Sequence, residues 1–169
     1  MSGSIHLYLV RHAIAEERGP AWPDDTKRPL SEEGRVKMAK QVAGLDLFDV
    51  RIEEILTSPL VRTRQTAEIL AQGLPARPRV TDFSPLAPGH TAKEAMSALK
   101  DYAKRSRIAL VGHEPGLGDL MAALIGTKRP ITFKKGGISL VKVDRLPPEA
   151  GSAELYWFLT PKILRKLAP

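Results

Sequence analysis

Two histidines, each near the end of an apolar segment, are the residues of this chain best suited to chemistry. Arg11 and His12 directly follow the largely apolar segment 5–10, and His113 comes two residues after a second apolar segment, 108–111. Short apolar runs of this kind are typical of strands that are buried on both faces of a sheet. Because the carboxyl ends of neighbouring parallel strands meet at one edge of a sheet, we expect the two imidazoles to share a site.

A third segment supplies a second arginine. Residues 55–57 have the pattern of a strand end, and a helical pattern follows in which Arg62 lies in the first turn. Ser58 is predicted to cap this helix and Pro59 to occupy its first position. A guanidinium can bind two phosphoryl oxygens at once, and the amino terminus of a helix also favours an anion. Two arginines and two histidines therefore predict a site for a phosphoryl group.

The charges around His12 predict how its imidazole behaves. Arg11 and Arg62 should hold the pKa of His12 below its ordinary value because like charges repel. A neutral imidazole keeps a nitrogen lone pair at neutral pH, so His12 is a candidate nucleophile. Arg64 lies on a different side of the same predicted helix, where a solvated charge is expected.

Three stretches of the chain carry a family resemblance. The stretches LVRHA, SPLVRTRQTA and LVGHEPG resemble the three signature blocks of the histidine phosphatase superfamily, the phosphoglycerate-mutase-like proteins, and stand in the family's order. The short chain is most similar to the bacterial phosphohistidine phosphatase (SixA) type. The resemblance implies that His12 accepts the phosphoryl group and that Arg11 and Arg62 bind it. It also implies that His113 donates a hydrogen bond to the phosphate, and that neither a metal nor another cofactor takes part.

The reaction implied by this resemblance has two steps. His12 attacks phosphorus to form a phosphohistidine enzyme, and water then hydrolyses this intermediate to release inorganic phosphate. The implied substrate is a protein that carries phosphohistidine. The alternative is a small phosphate ester, such as a sugar phosphate or a nucleotide.

One departure from the family pattern concerns the proton donor. Larger members of the superfamily place a glutamate in the loop after the third strand, whereas residues 84–90 contain no carboxylate. The proline-rich loop 16–30, which includes Trp22, is expected to form the rim of the pocket. The remaining candidates for a general acid, each more simply interpreted as a solvated loop residue, are Glu16, Glu17, Asp24, Asp25 and His90. Phosphohistidine has a labile P–N bond whose imidazole leaving group needs less protonation, which agrees with the resemblance.

The charge of the chain favours anionic partners in general. Its 26 basic and 19 acidic residues give a formal net charge of +7, and the sequence pI is about 9.8. A basic nucleic-acid-binding protein is therefore a third interpretation. No nucleic-acid-binding motif accompanies the late basic residues, and they scatter over several predicted elements, so nucleic acid is not the expected partner. These residues are Lys134, Lys135, Lys162, Arg165 and Lys166.

Length and composition predict one domain, residues 1–169. A chain of 169 residues with 43% hydrophobic content can bury one core. Without cysteine it has neither disulfides nor thiolate metal sites, and its four histidines show no ligand spacing, so no metal is expected. Residues 1–4 lead into the first strand pattern without a signal-peptide pattern, and no apolar run approaches the ~20 residues of a membrane helix. We therefore expect a soluble cytoplasmic protein with no membrane partner.

The order of the predicted elements indicates the fold class. Strand and helix patterns alternate, which predicts a three-layer α/β sandwich with helices on both faces of a mostly parallel sheet. One helix is predicted over residues 31–45 with Ser31 as its N-cap, and residues 91–94 have the form of a capping box. The late strands 137–143 and 154–159 follow each other without a helix, so an antiparallel edge is expected.

Overall fold

Strands and helices alternate along most of the chain. The structure, a computed structural model, describes residues 3–169, so residues 1 and 2 of the amino-terminal segment considered above lie outside the described residues. The strands in this part of the chain are β1 (Ile5–Arg11), β2 (Glu54–Thr57), β3 (Arg79–Asp82), β4 (Arg107–Gly112), β5 (Ile138–Val143) and β6 (Glu154–Leu159). The helices are α1 (Glu32–Ala43), α2 (Val61–Gly73), α3 (Ala92–Ala98), α4 (Gly116–Ile125) and α5 (Pro161–Leu167).

The six strands form one mixed sheet in the order β3-β2-β4-β1-β5-β6. Strands β1 to β4 run parallel to one another, whereas β5 is antiparallel to β1 and β6 is antiparallel to β5. The three-layer α/β fold and its antiparallel edge are thus confirmed. Arg11 pairs with Gly112 and Thr57 pairs with Val111. The residues that follow β1, β2 and β4 therefore leave the sheet side by side.

Two apolar cores lie on opposite faces of this sheet. Because side chains alternate along a strand, Leu7 and Leu9 of β1 point to one face while Tyr8 and Val10 point to the other. Helices α3 and α4 cover the first face, and helices α1, α2 and α5 cover the second. Strand β1 is thereby buried on both faces, which fixes the position at which Arg11 leaves the sheet.

Helix α1 follows its sequence signals at the start and ends early. Ser31 is the N-cap, and its hydroxyl accepts a hydrogen bond from the backbone N–H of Gly34. The α-helix ends at Ala43, two residues before the predicted end, and a 3₁₀ turn over Gly44–Phe48 continues it. The turn packs closely on α5, since a Cβ at Gly44 would collide with the carbonyl oxygen of Leu164.

Helix α2 begins later than the sequence predicts. Its first residue is Val61 and its N-cap is Leu60, so the assignment of Ser58 as N-cap and Pro59 as first helical residue was wrong. The hydroxyl of Ser58 lies 2.8 Å from Nε2 of His113 instead. The capping box of helix α3, formed by Thr91 and Glu94, is present as predicted.

Helix α5 was missed by the sequence analysis, which interpreted its basic residues only as part of a charged region. Thr160 caps this helix by accepting the N–H of Ile163, and Leu164 is fully buried against the core under α1. Arg165 donates from Nη1 to Oε1 of Gln41 at 2.8 Å. At least one of the late basic residues therefore has a structural role.

None of the helices in residues 3–169 combines the length and the apolar character that crossing a membrane requires.

Candidate active site

The four residues singled out by the sequence line one cavity at the carboxyl edge of the sheet. Arg11, His12, Arg62 and His113 all contribute to this cavity, whose volume is about 530 Å³. The ring centroids of His12 and His113 are 5.3 Å apart. Parallel pairing of β1 with β4 produces this approach, because each histidine follows directly on its strand.

His12 is held as a neutral imidazole with a defined tautomer. Its side chain is buried, and Nδ1 lies 2.7 Å from the carbonyl oxygen of Ala13. Because a carbonyl only accepts, Nδ1 carries the proton and Nε2 keeps its lone pair. The N–H of Ala13 in turn donates to Oγ1 of Thr66 at 3.0 Å, which anchors this turn on helix α2.

The pKa of His12 is lowered to about 4, chiefly by burial and to a lesser extent by the charges of Arg62 and Arg11. The sequence predicts this direction, but from the two arginines alone. Desolvation is the larger cause, since a buried imidazolium loses its hydration. His12 is therefore neutral over the whole physiological range.

His113 is neutral for the same reasons. Burial lowers its pKa to about 3, and the nearby His12 and Arg62 contribute to the shift. Ser58 is fully buried and fixes the ring through the 2.8 Å contact between Oγ and Nε2. The backbone N–H of Ser58 donates to the carbonyl of Val111 at 3.0 Å, so this support extends to the middle of the sheet.

These low pKa values predict that the protein loses stability in acid. In the unfolded chain a histidine titrates near its ordinary pKa of about 6.5, whereas folded His12 titrates at about 4. Between those values the unfolded state binds more protons, so stability falls as pH falls. Since one pH unit corresponds to about 1.4 kcal/mol per group, neutral His12 contributes about 3 kcal/mol that is fully present above pH ~6.5 and is lost towards pH ~4.

Urea unfolding of the wild type and of His12→Gln from about pH 7 to about pH 4 tests this expectation. The difference between the two curves isolates His12 from the carboxylates, which also titrate in acid. The variant should lose less stability than the wild type over this window. Parallel curves would contradict the buried, neutral state of His12.

Arg11 is hydrogen-bonded to the segment 133–137. Its Nη1 donates to the carbonyl oxygen of Phe133 at 2.6 Å. Its backbone N–H donates to the carbonyl of Gly137 at 3.1 Å, and its own carbonyl accepts the N–H of Gly136 at 3.2 Å. Backbone and guanidinium of Arg11 are thus fixed by the same segment.

Arg62 is held by Asp25. The Arg62 side chain is 4% exposed, and it donates from Nη1 to the Asp25 carbonyl at 2.8 Å and from Nη2 to Oδ2 of Asp25 at 3.1 Å. The same carboxylate accepts a hydrogen bond from Nε of Arg28 at 2.8 Å. That hydrogen bond, with the positive charges of Arg62 and Arg28, holds the pKa of Asp25 below its ordinary value. Asp25 is therefore ionised at neutral pH, a state that suits the orientation of Arg62 better than the donation of a proton.

The other proton-donor candidates occupy different places. Glu16 and Glu17 line the cavity with exposed side chains. Asp24 caps the 3₁₀ turn Asp25–Lys27 by accepting the N–H of Thr26 at 3.0 Å, and hydrogen bonds from Thr26 lower its pKa. His90 lines a smaller pocket, to which His113 also contributes. The structure therefore brings two of these side chains to the cavity in addition to Asp25.

Several cavity residues were not assigned a role by the sequence analysis. Arg28 is buried and donates from Nη1 to the carbonyl of Glu16 at 2.7 Å, so it ties both ends of the loop together. An arginine between prolines gives no sequence signal that distinguishes it from a solvated charge. Glu114 and Lys135 also line the cavity. Glu114 lies in the stretch LVGHEPG, for which only His113 was given a role. Residues 3–169 hold no cluster of three or more histidine, aspartate or glutamate side chains that could bind a metal ion.

Comparison with known proteins identifies the class to which this fold and site belong. The profile of the histidine phosphatase superfamily (branch 1) matches residues 7–83. An uncharacterised protein of Picosynechococcus sp. is 34% identical, over 95% of this chain and 99% of that protein. The chain belongs to the histidine phosphatase superfamily, which confirms the resemblance seen in its three sequence blocks. It is thus a phosphatase of that superfamily.

The chain is also similar to several proteins of named activity. The phosphohistidine phosphatase SixA of Escherichia coli is 26% identical, over 93% of this chain and 94% of that protein. The structure of a protein histidine phosphatase SixA complexed with tungstate matches with a TM-score of 0.82 at 24% identity, over 95% of this chain and 99% of that chain. A mycobacterial glucosyl-3-phosphoglycerate phosphatase matches with a TM-score of 0.68 at 15% identity, over 94% of this chain and 100% of that chain. The two structural matches show that the fold is shared.

Proposed function

We propose that this chain is a metal-independent protein phosphohistidine phosphatase that works through a phosphohistidine formed on His12. The observation that carries the proposal is the state of His12, a buried neutral imidazole whose Nδ1 proton is engaged with Ala13. Its free Nε2 lone pair lies in a cavity that also contains two guanidinium groups. A neutral nitrogen nucleophile beside fixed positive charge suits attack on a phosphoryl group.

The proposed first step transfers the phosphoryl group to the enzyme. Arg11 and Arg62 bind the equatorial oxygens, whose charge they neutralise, while His113 donates a hydrogen bond. The Nε2 lone pair of His12 forms the N–P bond as the bond to the leaving group breaks, and the leaving group takes the electron pair. In the second step water attacks phosphorus, the N–P bond breaks, Nε2 regains its lone pair and inorganic phosphate leaves.

The choice of phosphohistidine as substrate follows from the acids around the cavity. Asp25 is ionised and engaged with Arg62, while Glu16 and Glu17 are exposed at the rim. An imidazole leaving group needs less protonation than an alkoxide, so such a site favours a P–N bond. The name of the Escherichia coli relative, a phosphohistidine phosphatase, supports the same choice.

A small phosphate ester is the second candidate. Glu16 and Glu17 favour it, because a carboxyl group at the cavity could protonate an alkoxide leaving group. Their exposure makes this the weaker assignment, since a general acid needs a fixed position beside the leaving group.

Turnover of a phosphohistidine peptide tests the proposal directly. Purified protein should release inorganic phosphate from the peptide at an unchanged rate in excess EDTA. A loss of activity in EDTA that zinc or magnesium restores would remove metal independence from the proposal. If the protein hydrolyses sugar phosphates but does not hydrolyse the phosphohistidine peptide, the second candidate is favoured.

Replacement of Arg62 by alanine should weaken anion binding while the protein stays folded. Charge-assisted hydrogen bonds contribute about 1.5–3 kcal/mol, so tungstate should bind about 10- to 100-fold more weakly. Asp25 keeps Arg28 as a partner, which limits the structural damage. Isothermal titration calorimetry with tungstate measures the effect.

The matched control is Arg64→Ala on the same helix. Arg64 pairs with Asp82 and Glu68 at the protein surface, away from the cavity. The control should bind tungstate as the wild type does. Equal affinities for all three proteins would show that Arg62 does not bind the anion.

A further inference from the structure

The carboxylate of Glu114 holds the backbone of the segment that is hydrogen-bonded to Arg11. Its Oε1 accepts the N–H of Phe133 at 2.8 Å, and its Oε2 accepts the N–H of Gly118 at 3.3 Å. Gly118 allows this approach, because a Cβ there would lie 2.9 Å from Oε2. Glu114 thus links helix α4 to the backbone of Phe133 through two hydrogen bonds.

The carbonyl group of Phe133 is held by Arg11. Nη1 of Arg11 donates to the Phe133 carbonyl at 2.6 Å. The side chain of Phe133 is fully buried, and its ring centroid lies 4.6 Å from that of Phe158, so this residue is fixed in the core. A continuous hydrogen-bonded path therefore runs from the carboxylate of Glu114 through Phe133 to the guanidinium of Arg11.

We propose that Glu114 is a positioning residue, which fixes the Phe133 peptide and through it the guanidinium of Arg11 for binding a phosphoryl group. The carboxylate orients the backbone at Phe133, whose carbonyl in turn orients the arginine. The ring stays anchored in the core without Glu114, but the backbone that Arg11 binds loses the hydrogen bond that orients it. This proposal rests on the proposed function only in taking an oxyanion as the ligand of Arg11.

The geometry disfavours the other role open to a carboxyl group in this cavity, that of general acid. Burial raises the pKa of Glu114 above its ordinary value, while the N–H groups of Phe133 and Gly118 act in the opposite direction. Both oxygens already accept backbone hydrogen bonds, and protonation of Oε1 would set its hydrogen against the N–H of Phe133. A proton donor would have to give up the contacts that position it.

The sign of one binding measurement separates positioning from simple charge. Glu114 lines the cavity as a carboxylate that accepts two backbone hydrogen bonds, so removal of its charge alone would strengthen the binding of an anion. Loss of the positioning of Arg11 would instead weaken the binding of the anion. Tungstate titrations of the wild type, Glu114→Ala and Glu114→Gln therefore have a clear expected order.

We expect Glu114→Ala to bind tungstate about 10-fold more weakly than the wild type, as loss of one oriented charged hydrogen bond implies. Glu114→Gln keeps an amide oxygen for the N–H of Phe133 and should regain part of the loss, which also keeps the test usable if the alanine variant does not fold. The matched control is Glu53→Gln at the opposite edge of the sheet. Glu53 likewise accepts a backbone N–H, that of Ser106 at 3.2 Å, and its replacement should leave tungstate affinity unchanged.

Unchanged or tighter tungstate binding by both Glu114 variants would overturn the proposal. Absence of tungstate binding by the wild type would overturn it as well, because Arg11 would then have no anion to bind. Wild-type tungstate binding without hydrolysis of any phosphorylated substrate would reject the proposed function and leave the assignment of Glu114 standing.

A kinetic readout completes the test in a protein that turns over. A positioning residue lowers kcat/KM by the same factor for aryl phosphates with good and poor leaving groups. A general acid produces a loss that grows as the leaving group becomes more basic. If the loss of kcat/KM in Glu114→Gln grows as the leaving group becomes more basic, Glu114 is a proton donor and the positioning role is rejected.

Discussion

Replacement of His12 by alanine is expected to lower kcat for a phosphohistidine peptide by at least about 10⁴-fold. The proposed reaction passes through a bond between phosphorus and Nε2 of His12, and a methyl group cannot form it. His113 cannot substitute, because Nε2 of that ring is engaged with Ser58. Steady-state phosphate release measures the effect.

The control for this prediction is His6→Ala. His6 lies on the same strand, but near the edge of the sheet opposite the cavity. The half-buried side chain of His6 does not line the cavity, so its replacement should leave kcat within about a factor of two. Near-normal turnover by His12→Ala would show that phosphoryl transfer does not use this nucleophile.

Phosphohistidine is expected to exceed sugar phosphates in kcat/KM by a factor of about 10² to 10⁴. This range is the usual contribution of a positioned general acid, which an alkoxide leaving group needs far more than an imidazole does. Asp25 is engaged with Arg62, and Asp24 is engaged with Thr26. Activated aryl phosphates, whose leaving groups are weak bases, should fall between the two classes.

The test compares three substrates on the wild type and on single replacements of the remaining candidate acids. The variants are Glu16→Gln, Glu17→Gln and His90→Ala. Each should leave the preference for phosphohistidine in place. Comparable wild-type rates on sugar phosphates that one of these replacements abolishes would identify a general acid and move the assignment to a small-molecule phosphatase.

The gathering of Arg11, His12, Arg62 and His113 follows from sequence because it depends on short-range signals. Arg11, His12 and His113 lie at or just after the end of an apolar strand, and Arg62 lies in the first turn of the helix that follows another. Parallel strands bring their carboxyl ends together. The register that pairs Arg11 with Gly112 then sets the two histidines side by side. The three-layer α/β fold class is predicted by the alternation of strand and helix patterns along the chain.

The contacts that orient these groups depend on tertiary structure and carry no local signal. Asp25 reaches Arg62 across 37 positions of the chain, and Glu114 reaches Phe133 across 19. Both contacts are set by the paths of irregular segments, which residue spacing does not specify. The main cause of the low His12 pKa was missed for a related reason, since the sequence shows neighbouring charges but not the depth of burial.

Helix α5 escaped prediction because its apolar pattern is short. The helix has seven residues, and Leu164 is the one that is buried. A single buried leucine among basic residues gives a sequence pattern that resembles a solvated charged segment. The helix is stabilised by packing against α1, which the sequence pattern does not show.

Trapping of the phosphorylated enzyme tests the central claim most directly. Wild-type protein mixed with a phosphohistidine peptide and quenched in alkali should carry one phosphoryl group, stable in base and labile in acid as a phosphoramidate is, and mass spectrometry should place it on the peptide containing His12. His12→Ala should carry none under the same conditions. A phosphoryl group on any other residue, or rapid wild-type turnover that accumulates no phosphorylated protein in rapid-quench experiments at any time, would contradict the account.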